Sequence, residues 1–221
     1  MDHPWWELVK LAWPVLLQGT GYTLAFAVAS MVLGLALGFV VALVRVAKVP
    51  VLAQIAALYV SLIRGTPLLV QIFVIYYGLP SIGIEFSPLS AGILALTLNV
   101  AAYLSESMRG AIAGVHKGQW DAGLSLGFSW WQTMRFVVAP QALRLAVPSL
   151  SNSLISLIKD TSLVSVITVT ELMLATKELI AQTFQPLPLY LAAAGVYWVL
   201  SASFERLQKR VELRLERAHQ R

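Results

Sequence analysis

The sequence predicts an all-α, polytopic membrane protein with about five transmembrane helices and a helical loop on its cytoplasmic face. Three observations lead there. Of the residues, 58% are hydrophobic and 12% charged, against about 25% charge in soluble domains; the mean hydropathy is +0.74. Five stretches approach the roughly 20 apolar residues that a bilayer crossing needs. The basic residues between those stretches fall almost entirely on one side.

The stretches follow in order. Residues 20–44 carry no charge and form the first span. Residues 51–77 form the second, interrupted by Arg64-Gly65-Thr66-Pro67. Pro67 has no N–H and disfavours helix at Thr66, so this span is expected to unwind there. Residues 89–107 form the third span, 146–169 the fourth, with Lys159 and Asp160 inside it, and 187–204 the fifth. The segment 1–18 carries Glu7, Lys10 and Pro14 among apolar residues and reads as a separate interfacial helix. Residues 19–210 make one transmembrane domain, and 211–221 a basic tail in which the helix continues with charge at nearly every second position.

Five spans place the termini on opposite sides. Arg45, Lys48, Arg109, Lys117, Arg135, Arg144 and the tail residues Arg206, Lys209, Arg210, Arg214, Arg217 and Arg221 share one side; Lys10 and Lys177 hold the other. The positive-inside rule makes the rich side cytoplasmic, with the N-terminus outside. This placement also explains the net charge of +5 without nucleic acid.

Several functions are excluded. There is no cysteine, and His3, His116 and His219 are too scattered for a metal cluster. Asp2 and Glu7 stand where a secretory signal would be basic, and the Ala25-Phe26-Ala27 match lies inside the first span. No phosphate loop, H-E-x-x-H or G-x-S-x-G occurs, so no ATP, other cofactor or metal is expected on this chain. Gly34 and Gly38 form the only Gly-x-x-x-Gly inside a fully apolar span. They suit close helix approach within the chain or between subunits.

Residues 110–145 stand apart as the longest non-spanning stretch. A helix is expected from Gln119 to Leu126, ended by Gly127 in a left-handed conformation. Ser129 and Gln132 form a capping-box pattern that starts a second helix, running through Trp130, Trp131 and Phe136 to Pro140.

The run from Asp121 to Pro140 resembles the signature loop of the permease subunits of ATP-binding-cassette importers. Asp121-Ala122-Gly123, Gly127, Val137, Ala139 and Pro140 stand at that family's spacing. Four positions depart from its pattern: Asp for Glu, Gly for Ala, Val for Ile, Ala for Leu. Arg64-Gly65-Thr66-Pro67-Leu68-Leu69-Val70-Gln71, Glu106-Ser107-Met108-Arg109-Gly110, Gly118-Gln119, Pro140-Gln141-Ala142 and Lys159-Asp160-Thr161-Ser162-Leu163 resemble its polar-amino-acid branch. The resemblance covers about residues 18–210 and implies the type I importer permease fold. It implies a dimer of two permease chains, identical or paralogous, in a bacterial inner membrane. It also implies two cytoplasmic ATPase subunits that bind ATP and magnesium, and an extracytoplasmic amino-acid-binding protein. Gln119, Asp121, Ala122, Gly123, Gly127 and Pro140 would form the coupling helix and loop that contact the ATPase.

Arg64, Lys159 and Asp160 fall inside expected spans, where charge costs about 2.5–3.5 kcal/mol and faces protein or a wet cavity. Two readings stand for Asp160. It can pair structurally with Lys159 or Arg64, of which Arg64 is the better candidate because adjacent residues on a helix point about 100° apart, or it can hold the ammonium of an amino acid. In the second reading Arg64, Thr66 or Ser162 supplies donors for the carboxylate, and Asn99 and Gln71 orient the side chain. Glu106, near the cytoplasmic end of the third span, reads as solvated. A proton- or cation-coupled secondary transporter or channel using Asp160 or Glu106 is the competing class; it needs no docking helix at 121–140.

Overall fold

The computed structural model describes residues 5–217, with side chains for 7–214. Asp2, His3, His219 and Arg221 lie outside the described residues. Every element within them is helical. The order is α1 (Trp5–Val46), α2 (Leu52–Gly65), α3 (Leu68–Phe73), α4 (Pro88–Ala113), α5 (Lys117–Ser125), α6 (Trp130–Thr133), α7 (Ala139–Asp160), α8 (Leu172–Thr183) and α9 (Pro186–Arg217).

The first correction concerns residues 4–18. From Trp5 onward they form no separate interfacial helix but the first third of α1, 42 residues without a break and about 63 Å long. Leu8, Ala12 and Leu16, four apart, form one buried stripe against Leu172 and Leu189. That packing outweighs the missing donor at Pro14, which sits inside the helix. The same end is tied by Glu171, fully buried at the N-cap of α8. Its carboxylate accepts from Tyr197 Oη (2.8 Å), Leu174 N (2.8 Å) and Thr23 Oγ1 (3.4 Å). One side chain thus joins α1, α8 and α9.

α1 packs most extensively on α4. The glycine pair is used here, within the chain. A Cβ on Gly34 would stand 2.4 Å from Val100 Cγ1, and one on Gly38 would stand 2.9 Å from the Ala101 carbonyl oxygen. The two backbones are therefore in direct contact. The main core lies beside this seam and includes Phe26, Leu96, Leu104, Leu157, Ile158 and Ile167.

Among the described residues, three helices are long and apolar enough to cross a membrane: Glu7–Val46, Pro88–Ala113 and Pro186–Arg214. The pair Leu52–Gly65 and Leu68–Ile82 passes the same length and composition test together and bends by 109° at the expected break, as a broken span or a re-entrant loop does. The expected span 146–169 is not one helix. α7 ends at Asp160 and a 3-10 turn, Thr161–Ile167, follows. α7 misses the apolar threshold because one of its faces is polar, as described below. α8 occupies a stretch with no sequence expectation.

The helix that starts at Ser129 does not stop at Pro140 either. A π-helical segment, Met134–Val138, leads into α7, with the proline in its first turn. A second one, Val74–Gly78, leads into Pro80 in the same way. Proline cannot donate to the carbonyl four residues back, and its ring crowds that carbonyl. Widening the helix there removes both conflicts and lets the chain continue.

Gly38→Val should destabilise the protein by about 1–3 kcal/mol, the range for overpacking a close contact. Gly21→Val, with nothing within 4 Å of its Cβ position, should cost only the shared propensity change. Thermal unfolding of the two variants in detergent checks the difference.

Candidate functional site: a polar cleft beside a broken helix

The break between α2 and α3 is built by three side chains. Thr66 (φ −122°, ψ 148°) and Pro67 (φ −65°, ψ 138°) are extended. In an unbroken helix the Ile63 carbonyl would accept from residue 67, but Pro67 has no N–H. The buried Gln71 side chain takes that role: its Nε2 donates to Ile63 O (2.8 Å). It also reaches Thr66 Oγ1 (3.0 Å) and Thr66 O (3.2 Å). Thr66 Oγ1 in turn donates to Leu62 O (2.8 Å). Asn99 of α4 closes the set, its Nδ2 donating to Gln71 Oε1 (3.0 Å). Gln71 is thus a structural clamp rather than a free polar group.

A cleft of about 530 Å³ opens beside this break. One wall is α4, with Asn99, Tyr103 and Ser107 four residues apart. The facing wall is α7, with Ser149, Asn152, Ser153, Ser156 and Asp160. Spacings of three and four put these on one helix face. Ser107 and Ser149 meet across one end of the cleft, their hydroxyls 2.6 Å apart. The serine and asparagine stripe was not singled out from sequence, although its spacing in Ser149–Asp160 was the available signal.

Asp160 lines the cleft and is half-buried. It makes no hydrogen bond or ion pair to a described residue. It also sits at the C-terminal end of α7, where the helix dipole is negative. Asn152, Ser156 and the Tyr103 hydroxyl are likewise without a described hydrogen-bond partner and line the same space.

Of the six residues expected around a ligand, Thr66, Asn99 and Asp160 line the cleft. Gln71 stands behind them. Arg64 and Ser162 do not line it. The expected Arg64–Asp160 pair is absent. Arg64 turns instead to Glu106 (3.6 Å) and lies over the Tyr103 ring, 5.4 Å from its centre. Glu106 is not simply solvated. It also binds Arg45, through a short contact, and Arg109 (3.0 Å). One carboxylate thereby holds three arginines from α1, α2 and α4. Arg64 prefers it because Glu106 is within reach at the end of α4 whereas Asp160 is on α7.

At the same basic end α5 and α6 form the expected helix–turn–helix. His116 caps α5, its Nδ1 accepting from Gly118 N (3.1 Å). Gly127 has φ +86°, and Phe128 N returns to Gly123 O (3.2 Å). Ser129 and Gln132 make both halves of a capping box. Gln119 Oε1 accepts from Gln141 Nε2 (3.0 Å), linking α5 to α7 beside Pro140. Asp121 and Ala122 are exposed, with Leu124, Leu126 and Phe128 beside them. Gly123 points inward: a Cβ there would lie 2.7 Å from Thr133 Cγ2. The glycine in place of the family's alanine is matched by a branched residue opposite.

A family model described as "binding-protein-dependent transport system inner membrane component" matches residues 34–217. The chain belongs to that family. This places it in an inner membrane and implies a binding protein and an ATPase as partners. The chain is similar to the L-cystine transport system permease protein TcyB of Bacillus subtilis, with 42% identity over 96% of this chain and 92% of that one. It is 36% identical to the glutamine transport system permease protein GlnP of Escherichia coli, covering 96% and 97% of the two chains. Among solved structures, a crystal structure of an amino acid ABC transporter with histidines superposes with a TM-score of 0.91 at 32% identity, covering 97% of this chain and 100% of that one. The MetNI methionine ABC transporter in an inward-facing form shares the fold (TM-score 0.79, 19% identity, 97% and 99% coverage).

Gly123→Ala should lower the thermal unfolding midpoint, the overpacking amounting to about 1–3 kcal/mol. Adding Thr133→Ala should restore most of it. A double-mutant cycle on unfolding midpoints checks the coupling.

Proposed function

We propose that this chain is the permease subunit of an ATP-binding-cassette importer for polar amino acids, and that the α4–α7 cleft is the site its substrate crosses. The observation that carries the proposal is Asp160, a half-buried carboxylate in a polar cleft that makes no hydrogen bond or ion pair to a described residue and has only the neighbouring Lys159 charge near it. Leaving such a charge uncompensated at membrane depth is costly unless a cation or water reaches it. The ammonium of an amino acid supplies that cation. Asn152, Ser156 and Tyr103 offer uncommitted donors for its carboxylate. Arg64 is removed from that role by its pairing with Glu106, and Ser162 by its position.

The break at Thr66–Pro67 exposes irregular backbone to this cleft, which is tolerated in a membrane where a cavity is lined. The family, the named amino-acid transport relatives and the amino-acid transporter structure support the substrate class. In this reading α5 is the coupling helix: Gln119, Asp121, Ala122, Gly123, Gly127 and Pro140 build it and hold its angle. A partner ATPase binds ATP and magnesium, and its closure moves α5. Through Gln119–Gln141 and the π-helical joint that motion reaches α7, and with it Asp160. A second permease chain completes the pathway, and an extracytoplasmic binding protein delivers the amino acid. The basic end is cytoplasmic and the N-terminus lies outside, from the distribution of Lys and Arg. Nothing in the site favours a proton-coupled carrier: Glu106 is committed to three arginines.

Asp160→Asn should reduce ATP-driven uptake of labelled amino acids in proteoliposomes by about tenfold or more, equivalent to about 1.4 kcal/mol. The complex should still assemble with its ATPase. Uptake at the wild-type rate would remove Asp160 from the site.

A further inference from the structure

Two cavities at the basic end adjoin each other and take no part in the translocation reading. One, of about 400 Å³, is lined by Arg45, Lys48, Arg109, Lys117, Val115 and Trp120, among others. The other, of about 390 Å³, is almost wholly apolar; Phe39, Leu43, Met108, Met134, Leu143 and Leu150 line it. Ile112 lines both, so the two cavities adjoin at that side chain.

We propose that together they seat one anionic phospholipid, its phosphodiester on the cations and an acyl chain along the groove. The order of residues along each helix fits that occupant. On α1, Phe39 and Leu43 precede Arg45, which stands in the last turn; on α4, Met108 precedes Arg109; Arg135 is the one charged residue that lines the apolar cavity. On α7 the groove runs from Ala139 to Leu150, about 16 Å of helix rise, which accommodates an extended hydrocarbon segment.

The charge is complementary. Arg45 and Arg109 share the single carboxylate of Glu106. Lys48 and Lys117 are exposed and pair with no acidic group among the described residues. Four cations around one carboxylate leave a surplus that a phosphodiester anion offsets. Basic pockets between spans beside apolar grooves are where anionic headgroups bind. The docking face proposed for the ATPase, around Asp121 and Leu124, lies one helical turn along α5 from Lys117 and Trp120, which line the pocket, so the two adjoin.

The test uses the assembled permease–ATPase complex, delipidated in detergent. Native mass spectrometry counts bound phosphatidylglycerol against phosphatidylcholine. The complex should retain phosphatidylglycerol about 25-fold more strongly, since each of the two unpaired lysines near an anionic headgroup contributes about a factor of five. Lys48→Gln with Lys117→Gln should abolish the preference, and Lys209→Gln with Arg210→Gln, an equal charge loss on α9, should not. Equal retention of both lipids, or an equal loss in the α9 pair, would overturn the proposal. So would displacement by excess inorganic phosphate, which would show an anion site without a chain seat. A preference seen in the free permease but not in the complex would show that the ATPase fills the pocket, and would overturn it too.

Discussion

A membrane-embedded backbone cannot leave its carbonyls to water, so a broken helix must carry its own replacement donors. Here that constraint falls on Gln71. Its amide supplies the hydrogen bond that Pro67 cannot give to Ile63, gathers Thr66, and is itself held by Asn99 of α4. With this clamp the chain bends by 109° between Leu52–Gly65 and Leu68–Ile82 while the Ile63 carbonyl keeps a donor. The parting leaves Thr66 and Pro67 on the cleft wall. The cleft exists because the break is affordable, and the break is affordable because α4 presents an asparagine at that depth.

The two acidic residues near the cleft have opposite environments. Glu106 is saturated by three arginines, a network whose bidentate and charge-assisted contacts lock α1, α2 and α4 at the basic end. Asp160 has no such partner and sits at a helix end of its own sign. A saturated carboxylate is architecture; an unsaturated one in a wet cleft is available for a cation. Family membership and the fold then supply what a single chain lacks, a binding protein and an ATPase. α5 is exposed at the basic end and fastened to α7 through Gln119 and Gln141, and in the proposed reading it carries a partner's motion to Asp160.

Much of this was legible in the sequence because it rests on local rules. Pro67 dictates a break; Gly127, Ser129 and Gln132 dictate a turn and a capped helix; a long uncharged run dictates a span. What was not legible depends on tertiary packing. The stripe Leu8, Ala12 and Leu16 becomes continuous with the first span only because Leu172 and Leu189 cover it. Pro140 reads as a stop, yet a π-helical turn carries the chain past it. Arg64 and Asp160 are the obvious pair by charge, but partner choice follows distance, and Glu106 is closer in space. The polar face of α7 hid inside a stretch read as a span, since hydropathy averages a face of serines with a face of leucines.

The most direct test exploits the absence of cysteine from the chain. A single cysteine at Ser153, on the cleft wall, is alkylated by a water-soluble thiol reagent in the assembled importer. Rates are compared without nucleotide, with ATP trapped, and with the transported amino acid present. A cleft that is the substrate pathway predicts that labelling changes when ATP is trapped and slows when the amino acid is bound. The same rate in all three states would contradict the central claim, for the cleft would then be a static feature apart from transport.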